Sequence, residues 1–110
     1  MSEREKLRRL AEVSGLLLDT KLFAVEKAAR ARQNSLNRLA ELELPAAPTD
    51  LPPVLAQEIA MRYQLWADQR RSEINLVLAR QSAEWAEAKQ EAAQAFGRNQ
   101  VVGKLGNRGK

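Results

Sequence analysis

Three glutamates spaced three and four residues apart, Glu84, Glu87 and Glu91, could do chemistry together. At that spacing they share one face of a helix, where carboxylates can hold metal ions. Carboxylate-bridged metal sites in helical bundles use a Glu-x-x-His motif, however, and this sequence contains no histidine. We therefore interpret the glutamates as a solvated helix face, with Lys89 between them, and expect no metal and no other cofactor.

The segment from Gly97 to Lys104 has the glycines and the lysine that phosphate-binding loops use. Its glycines stand one residue too far apart, no Ser or Thr follows Lys104 to hold magnesium, and no strand pattern precedes it. The sequence lacks both cysteine and histidine, so it offers no base-activated nucleophile. It predicts a protein that is not an enzyme and has no small-molecule substrate.

Two long helices are the elements that would carry these residues. Apolar side chains recur at steps of three and four along residues 55–102, close to the 3.5-residue period of coiled coils, and a second stripe covers residues 3–44. The four prolines, all between Pro45 and Pro53, interrupt this pattern. The sequence predicts an all-α fold in which two long helices form an antiparallel coiled-coil hairpin.

The predicted hairpin is a single domain over residues 1–110. It comprises helix 1 at about 3–44, a proline-rich loop at 45–53, helix 2 at about 54–103, and a basic, glycine-rich tail at 104–110.

Side-chain size predicts how the two helices face each other. Folding the chain about its prolines places Trp66 and Trp85 in the core against small residues of helix 1, with Trp85 at the level of Ala11. Arg70 then falls near Glu26, and a polar pair within an apolar seam fixes the register of a coiled coil. In this register the C-terminal end of helix 2 extends beyond helix 1 and is unpaired.

Charge differs between the two ends of the predicted hairpin. The net charge is +4, and the whole excess lies in the last thirteen residues, at Arg98, Lys104, Arg108 and Lys110. Between Arg38 and Arg62 the charged residues are all acidic: Glu41, Glu43, Asp50 and Glu58. Because the helices together are charge-balanced, we expect no dedicated nucleic-acid binding, although a tail-mediated nucleic-acid binder is a less favoured alternative.

The apolar run at residues 16–18 follows a charged N-terminal segment and is far shorter than a signal-peptide core or a membrane span. We therefore expect a cytoplasmic protein without membrane insertion.

Three stretches of the sequence carry a family resemblance. They are the charged start with Leu7-Arg8-Arg9-Leu10, the stretch Trp66-Ala67-Asp68-Gln69-Arg70-Arg71, and the ending from Glu87-Ala88-Lys89-Gln90 to Ala95-Phe96-Gly97-Arg98 and Lys104-Leu105. With the long Ala/Arg/Glu/Gln/Leu hairpin, they resemble the FliJ/YscO class of bacterial type III export proteins. Members of that class are small coiled-coil hairpins that act as the central stalk of the flagellar or injectisome export ATPase, and they resemble the two-helix part of the rotary ATP synthase gamma subunit.

The resemblance implies a non-enzymatic stalk or adaptor, flagellar by preference, that couples a hexameric ATPase ring to an export-gate protein at the inner membrane. It implies that the end of the hairpin with both termini enters the ring. By location, we expect the ring contacts to be Arg8, Arg9, Phe96, Arg98, Val101, Val102, Lys104 and Leu105. The alternative is a generic coiled-coil scaffold or dimerisation protein without a motor partner, and self-association is open in either case.

Overall fold

A computed structural model describes residues 2–43 and 50–108 of the chain. Helix α1 spans Glu3–Glu41 and helix α2 spans Pro53–Arg108, and the two form an antiparallel helical hairpin. The predicted all-α fold class is thus confirmed, and the described ranges contain no strand. Within those ranges, neither helix has an apolar stretch long enough to cross a bilayer.

Both helices begin where local chemistry favours a helix start. The Ser2 hydroxyl oxygen accepts a hydrogen bond from the Glu5 amide at 3.2 Å, as an N-cap residue does. Pro53 is the first residue of α2, a position at which proline's missing N–H costs nothing. The carbonyl of the preceding residue, Pro52, accepts a hydrogen bond from the Ala56 amide, with 2.9 Å between nitrogen and oxygen.

The helix ends differ from the predicted ones. Helix α1 ends at Glu41, and Leu42 and Glu43 form a turn, three residues before the predicted end. Helix α2 continues through Gly103 and Gly106 to Arg108, so most of the predicted basic tail is helical. Most of the predicted proline-rich loop lies outside the described residues.

Contacts group the hairpin into two compact units. The first combines Met1–Arg30 with Ser82–Lys110, and the second is Ala31–Gln81. Each unit therefore contains a segment of both helices.

The second unit is packed around the end of α1. Leu42, Ala67 and Ile74 are buried there as one cluster. The Leu42 carbonyl accepts hydrogen bonds from the Tyr63 hydroxyl at 3.2 Å and from the Arg71 guanidinium at 3.3 Å. These bonds satisfy a carbonyl that the end of a helix leaves without an intrahelical partner.

The prediction that Trp66 lies in the core is wrong. Its side chain is 54% exposed, whereas its neighbour Ala67 is completely buried. An alanine in the seam lets two helix backbones approach closely, and the larger indole remains on the flank. There the Trp66 ring lies 5.8 Å from the Tyr63 ring, centroid to centroid.

The predicted register pair between Arg70 and Glu26 is also wrong. Arg70 pairs with Glu73 at 3.0 Å, and Glu26 pairs with Arg30 at 3.8 Å, each within its own helix. Both pairs are exposed, where an ion pair contributes little to stability.

Trp85, the second predicted core tryptophan, is partly buried in the first unit. The ammonium nitrogen of Lys89, one turn further along α2, lies 3.5 Å from the centroid of its ring. This is a cation–π contact, which suits an indole that retains solvent access.

The register of the first unit differs from the predicted one. Ser14 donates a hydrogen bond to Asn99 at 2.9 Å, and Lys21 pairs with Glu91 at 3.3 Å. The predicted register would instead place Ser14 near Ser82, which is about five helical turns away from Asn99 at 3.6 residues per turn. The predicted unpaired C-terminal end of α2 is therefore wrong, because it lies beside the first turns of α1.

The reason for this difference is found in the second unit. Tyr63 of α2 contacts the end of α1 through its hydrogen bond to the Leu42 carbonyl. Residues 53–62 of α2 precede this contact. The predicted register assumes that the chain folds back at the middle of the proline segment, and it therefore pairs residues 53–62 with α1. The segment of α2 that extends past α1 is thus at the loop end of the second unit.

Candidate docking site

The candidate site lies in the first unit, where the start of α1 runs beside the end of α2. Ala92 and Ala95 of α2 are buried at this contact, and Ser14 of α1 is 8% exposed. Small side chains at the seam bring the two helices close together. The Ser14–Asn99 hydrogen bond gives these two polar side chains a partner where the contact between the helices shields them from water.

An apolar groove of about 920 Å³ runs along one side of this contact. Helix α1 contributes Leu10, Val13 and Leu17 to it, and α2 contributes Val101 and Leu105. All five side chains are exposed, with Val13 at 61% and Val101 at 57%. The groove is therefore an apolar surface open to water, which is typical of a contact site.

Among the described residues that line the groove, Arg98 is the one with a charged side chain. Around it, residues 3–17 and 94–107 carry six basic and three acidic side chains, and none of the acidic ones is on α2. The groove therefore lies at a basic end of the first unit.

A second depression, of about 610 Å³, lies closer to the chain termini. Its α1 side is formed by Arg4, Leu7 and Arg8, and its α2 side includes Val102 and Gly106. It extends the same combination of basic and apolar groups to the end of the first unit.

The residues expected to contact a partner fall into three groups. Arg98, Val101, Val102 and Leu105 line the groove, and Arg8 and Val102 line the second depression. Phe96 is 51% exposed, and Arg9 and Lys104 are also exposed, but these three line neither surface. Val102 is partly buried and lines both surfaces.

Leu10, Val13 and Leu17 are not among the residues that the sequence predicts as ring contacts. They lie on the apolar stripe of α1, for which the sequence leaves open both burial against helix 2 and side-by-side association of copies. One sequence feature distinguishes these groove residues from the residues that face α2. Ser14, Lys21 and Ala28 recur at a spacing of seven, which indicates a seam of small and polar residues.

In the described part of the chain, no group of three or more metal-ligating side chains is positioned to hold a metal ion. Of the three glutamates considered at the outset, Glu91 forms an ion pair with Lys21.

No protein-family model, curated protein or solved structure matches this chain.

Proposed function

We propose that this chain is a non-enzymatic coiled-coil stalk or adaptor of a bacterial type III export ATPase, flagellar by preference. In this proposal it works in the cytoplasm, at the periphery of an inner-membrane export apparatus. It couples the hexameric ATPase ring to the export gate and carries out no chemistry itself.

The observation that carries the proposal is the two-helix pairing of the first unit. The start of α1 and the end of α2 lie side by side, held by the Ser14–Asn99 and Lys21–Glu91 contacts. A stalk that enters a ring needs both helices at its tip, because a single helix without a packed partner is marginally stable in water.

The surface of that tip supports the same proposal. The expected ring contacts Arg98 and Val101 are exposed side by side at the groove, and Arg8 lies at the second depression. Basic charge steers association with an acidic partner, while the apolar side chains supply the contact area.

The test is the turnover of the purified export ATPase with and without the full chain. The proposal predicts that the wild-type chain binds the ATPase and raises its turnover or its assembly into rings. The variant Arg98→Glu/Lys104→Glu, which reverses two exposed charges, is expected to weaken both effects. Its matched control, Arg62→Glu/Arg80→Glu, reverses two exposed charges of the second unit and should behave as wild type. A wild-type chain that neither binds nor stimulates the ATPase would refute the proposal.

A second candidate function, a self-associating scaffold, is favoured by the outer surface of α1. Leu16 is 67% exposed and Phe23 is 60% exposed, and they lie two turns apart on one face of the helix. Sedimentation velocity over a range of concentrations tests this candidate. A dimer that the Leu16→Ser/Phe23→Ser variant abolishes supports it, and a wild-type chain that stays monomeric contradicts it.

A further inference from the structure

We propose that the apolar groove of the first unit binds an acidic amphipathic helix of another protein. The inference concerns the chemistry of the ligand. It does not rest on the stalk proposal, because it applies whether or not the partner is an ATPase.

The shape of the groove fits a helix. Its walls are two antiparallel helices, and a third helix laid between them would complete a three-helix contact. Along α1 the groove runs from Leu10 to Leu17, which is about 10 Å at 1.5 Å per residue, or two helical turns. A partner helix could place apolar side chains at i, i+3 or i+4, and i+7 over that distance.

The chemistry of the lining sets the apolar face of the ligand. Leu10, Val13 and Leu17 stand on one wall, and Val101 and Leu105 stand on the other. The buried positions of the seam are Ser14, Ala92 and Ala95, whereas these five side chains keep 38–61% of their surface exposed. Covering them would remove apolar area from water at little cost to the hairpin.

The charge of the groove and its surroundings determines the charge that the flanks of the ligand helix should carry. Arg98 is part of the lining, and the surrounding residues 3–17 and 94–107 carry twice as many basic as acidic side chains. An acidic helix would pair with this surface. A second copy of the chain, docked groove to groove about a two-fold axis, would instead bring two basic surfaces together, and like charges at an interface are unfavourable.

Peptide binding to the full chain tests the proposal. The probe is a synthetic helical peptide of roughly 18 residues, about five turns, with leucines on one face and glutamates on the flanks. The comparison is the same peptide with lysine at every glutamate. Fluorescence anisotropy of the labelled peptide is expected to give a Kd at least about tenfold lower for the acidic peptide, and that difference should shrink as salt is raised.

Variants locate the binding site. Val13→Ser/Val101→Ser should weaken binding of the acidic peptide by about tenfold or more, since both side chains are central in the groove. Its matched control, Leu65→Ser/Leu76→Ser, changes two similarly exposed aliphatic side chains outside the groove and should leave the Kd unchanged. Because all four residues are exposed, circular dichroism should show the same helix content in every variant.

Four outcomes would overturn the proposal. One is equal binding of the acidic and lysine peptides, and another is an unchanged Kd in Val13→Ser/Val101→Ser. The third is self-association of the wild-type chain that this same variant abolishes, which would make the groove a contact between copies. The fourth is binding to vesicles of anionic phospholipid without binding to the acidic peptide, which would make it a membrane contact.

Discussion

Small and polar residues define the seam of this hairpin. Ser14 and Ser35 are both buried, and each donates a hydrogen bond across the seam, to Asn99 at 2.9 Å and to Gln81 at 2.5 Å. The described residues leave no buried side-chain nitrogen or oxygen without a partner. The sequence predicted helices from apolar spacing, but this spacing favours leucines and does not reveal that serines are the buried positions.

The hydrogen bond between Ser14 and Asn99 should contribute measurably to stability. We expect Ser14→Ala to lower the free energy of unfolding by about 1 kcal/mol, because the Asn99 side chain loses its partner in a partly buried place. Asn99→Ala should have a comparable effect. The double variant should cost less than the two single variants together, as measured by urea unfolding followed by circular dichroism. Strictly additive effects would mean that the two side chains do not interact.

Gly15 offers a stabilising substitution. A methyl group at this position would meet nothing within 4 Å, and its φ is negative as an L residue prefers. Gly15→Ala should therefore raise the free energy of unfolding by about 0.5–1 kcal/mol through helix propensity alone. The reverse change at the exposed Ala83 of α2, Ala83→Gly, should lower it by a similar amount. Destabilisation by Gly15→Ala would show that a side chain packs where the structure has open space.

At the scale of the helices, the sequence predicts existence and approximate length but not register. The prolines between Pro45 and Pro53 correctly separate two helices. The predicted register is wrong because it places the first contacts between the two helices directly next to the loop. The end of α1 is instead held by groups that lie well inside α2, and nothing in the apolar periodicity distinguishes these two arrangements.

The Tyr63 hydroxyl is one of those groups. Tyr63→Phe keeps the ring and removes the hydrogen bond to the Leu42 carbonyl, so we expect a loss of about 0.5–1 kcal/mol in the free energy of unfolding. The loss is at the low end because Arg71 donates to the same carbonyl. Combining Tyr63→Phe with Arg71→Met should cost more than the sum of the single changes, since the carbonyl then has neither donor. Thermal unfolding of the four proteins measures this, and an unaffected Tyr63→Phe/Arg71→Met variant would contradict it.

At the scale of the whole molecule, the functional proposals depend on which part of α2 accompanies the start of α1. The sequence predicts partner contacts among the basic and apolar residues near the C-terminal end, including Arg98, Val101 and Leu105. The predicted register leaves these residues as an unpaired extension, because apolar spacing does not show which residues of α1 lie beside them. The pairing converts that extension into one wall of a groove, with Leu10 and Val13 on the other wall.

Cross-linking of engineered cysteines tests this pairing most directly, because the chain has no cysteine of its own. Ser14→Cys/Asn99→Cys replaces two side chains in hydrogen-bond contact, and a short thiol-reactive bridging reagent at high dilution should join them within one chain in high yield. Ser14→Cys/Ser82→Cys serves as the matched control. In the observed register its two cysteines lie about 25 Å apart along the helices, at 1.5 Å per residue, and should stay unlinked. Efficient linkage in Ser14→Cys/Ser82→Cys, with none in Ser14→Cys/Asn99→Cys, would contradict the register and remove the groove on which both functional proposals rest.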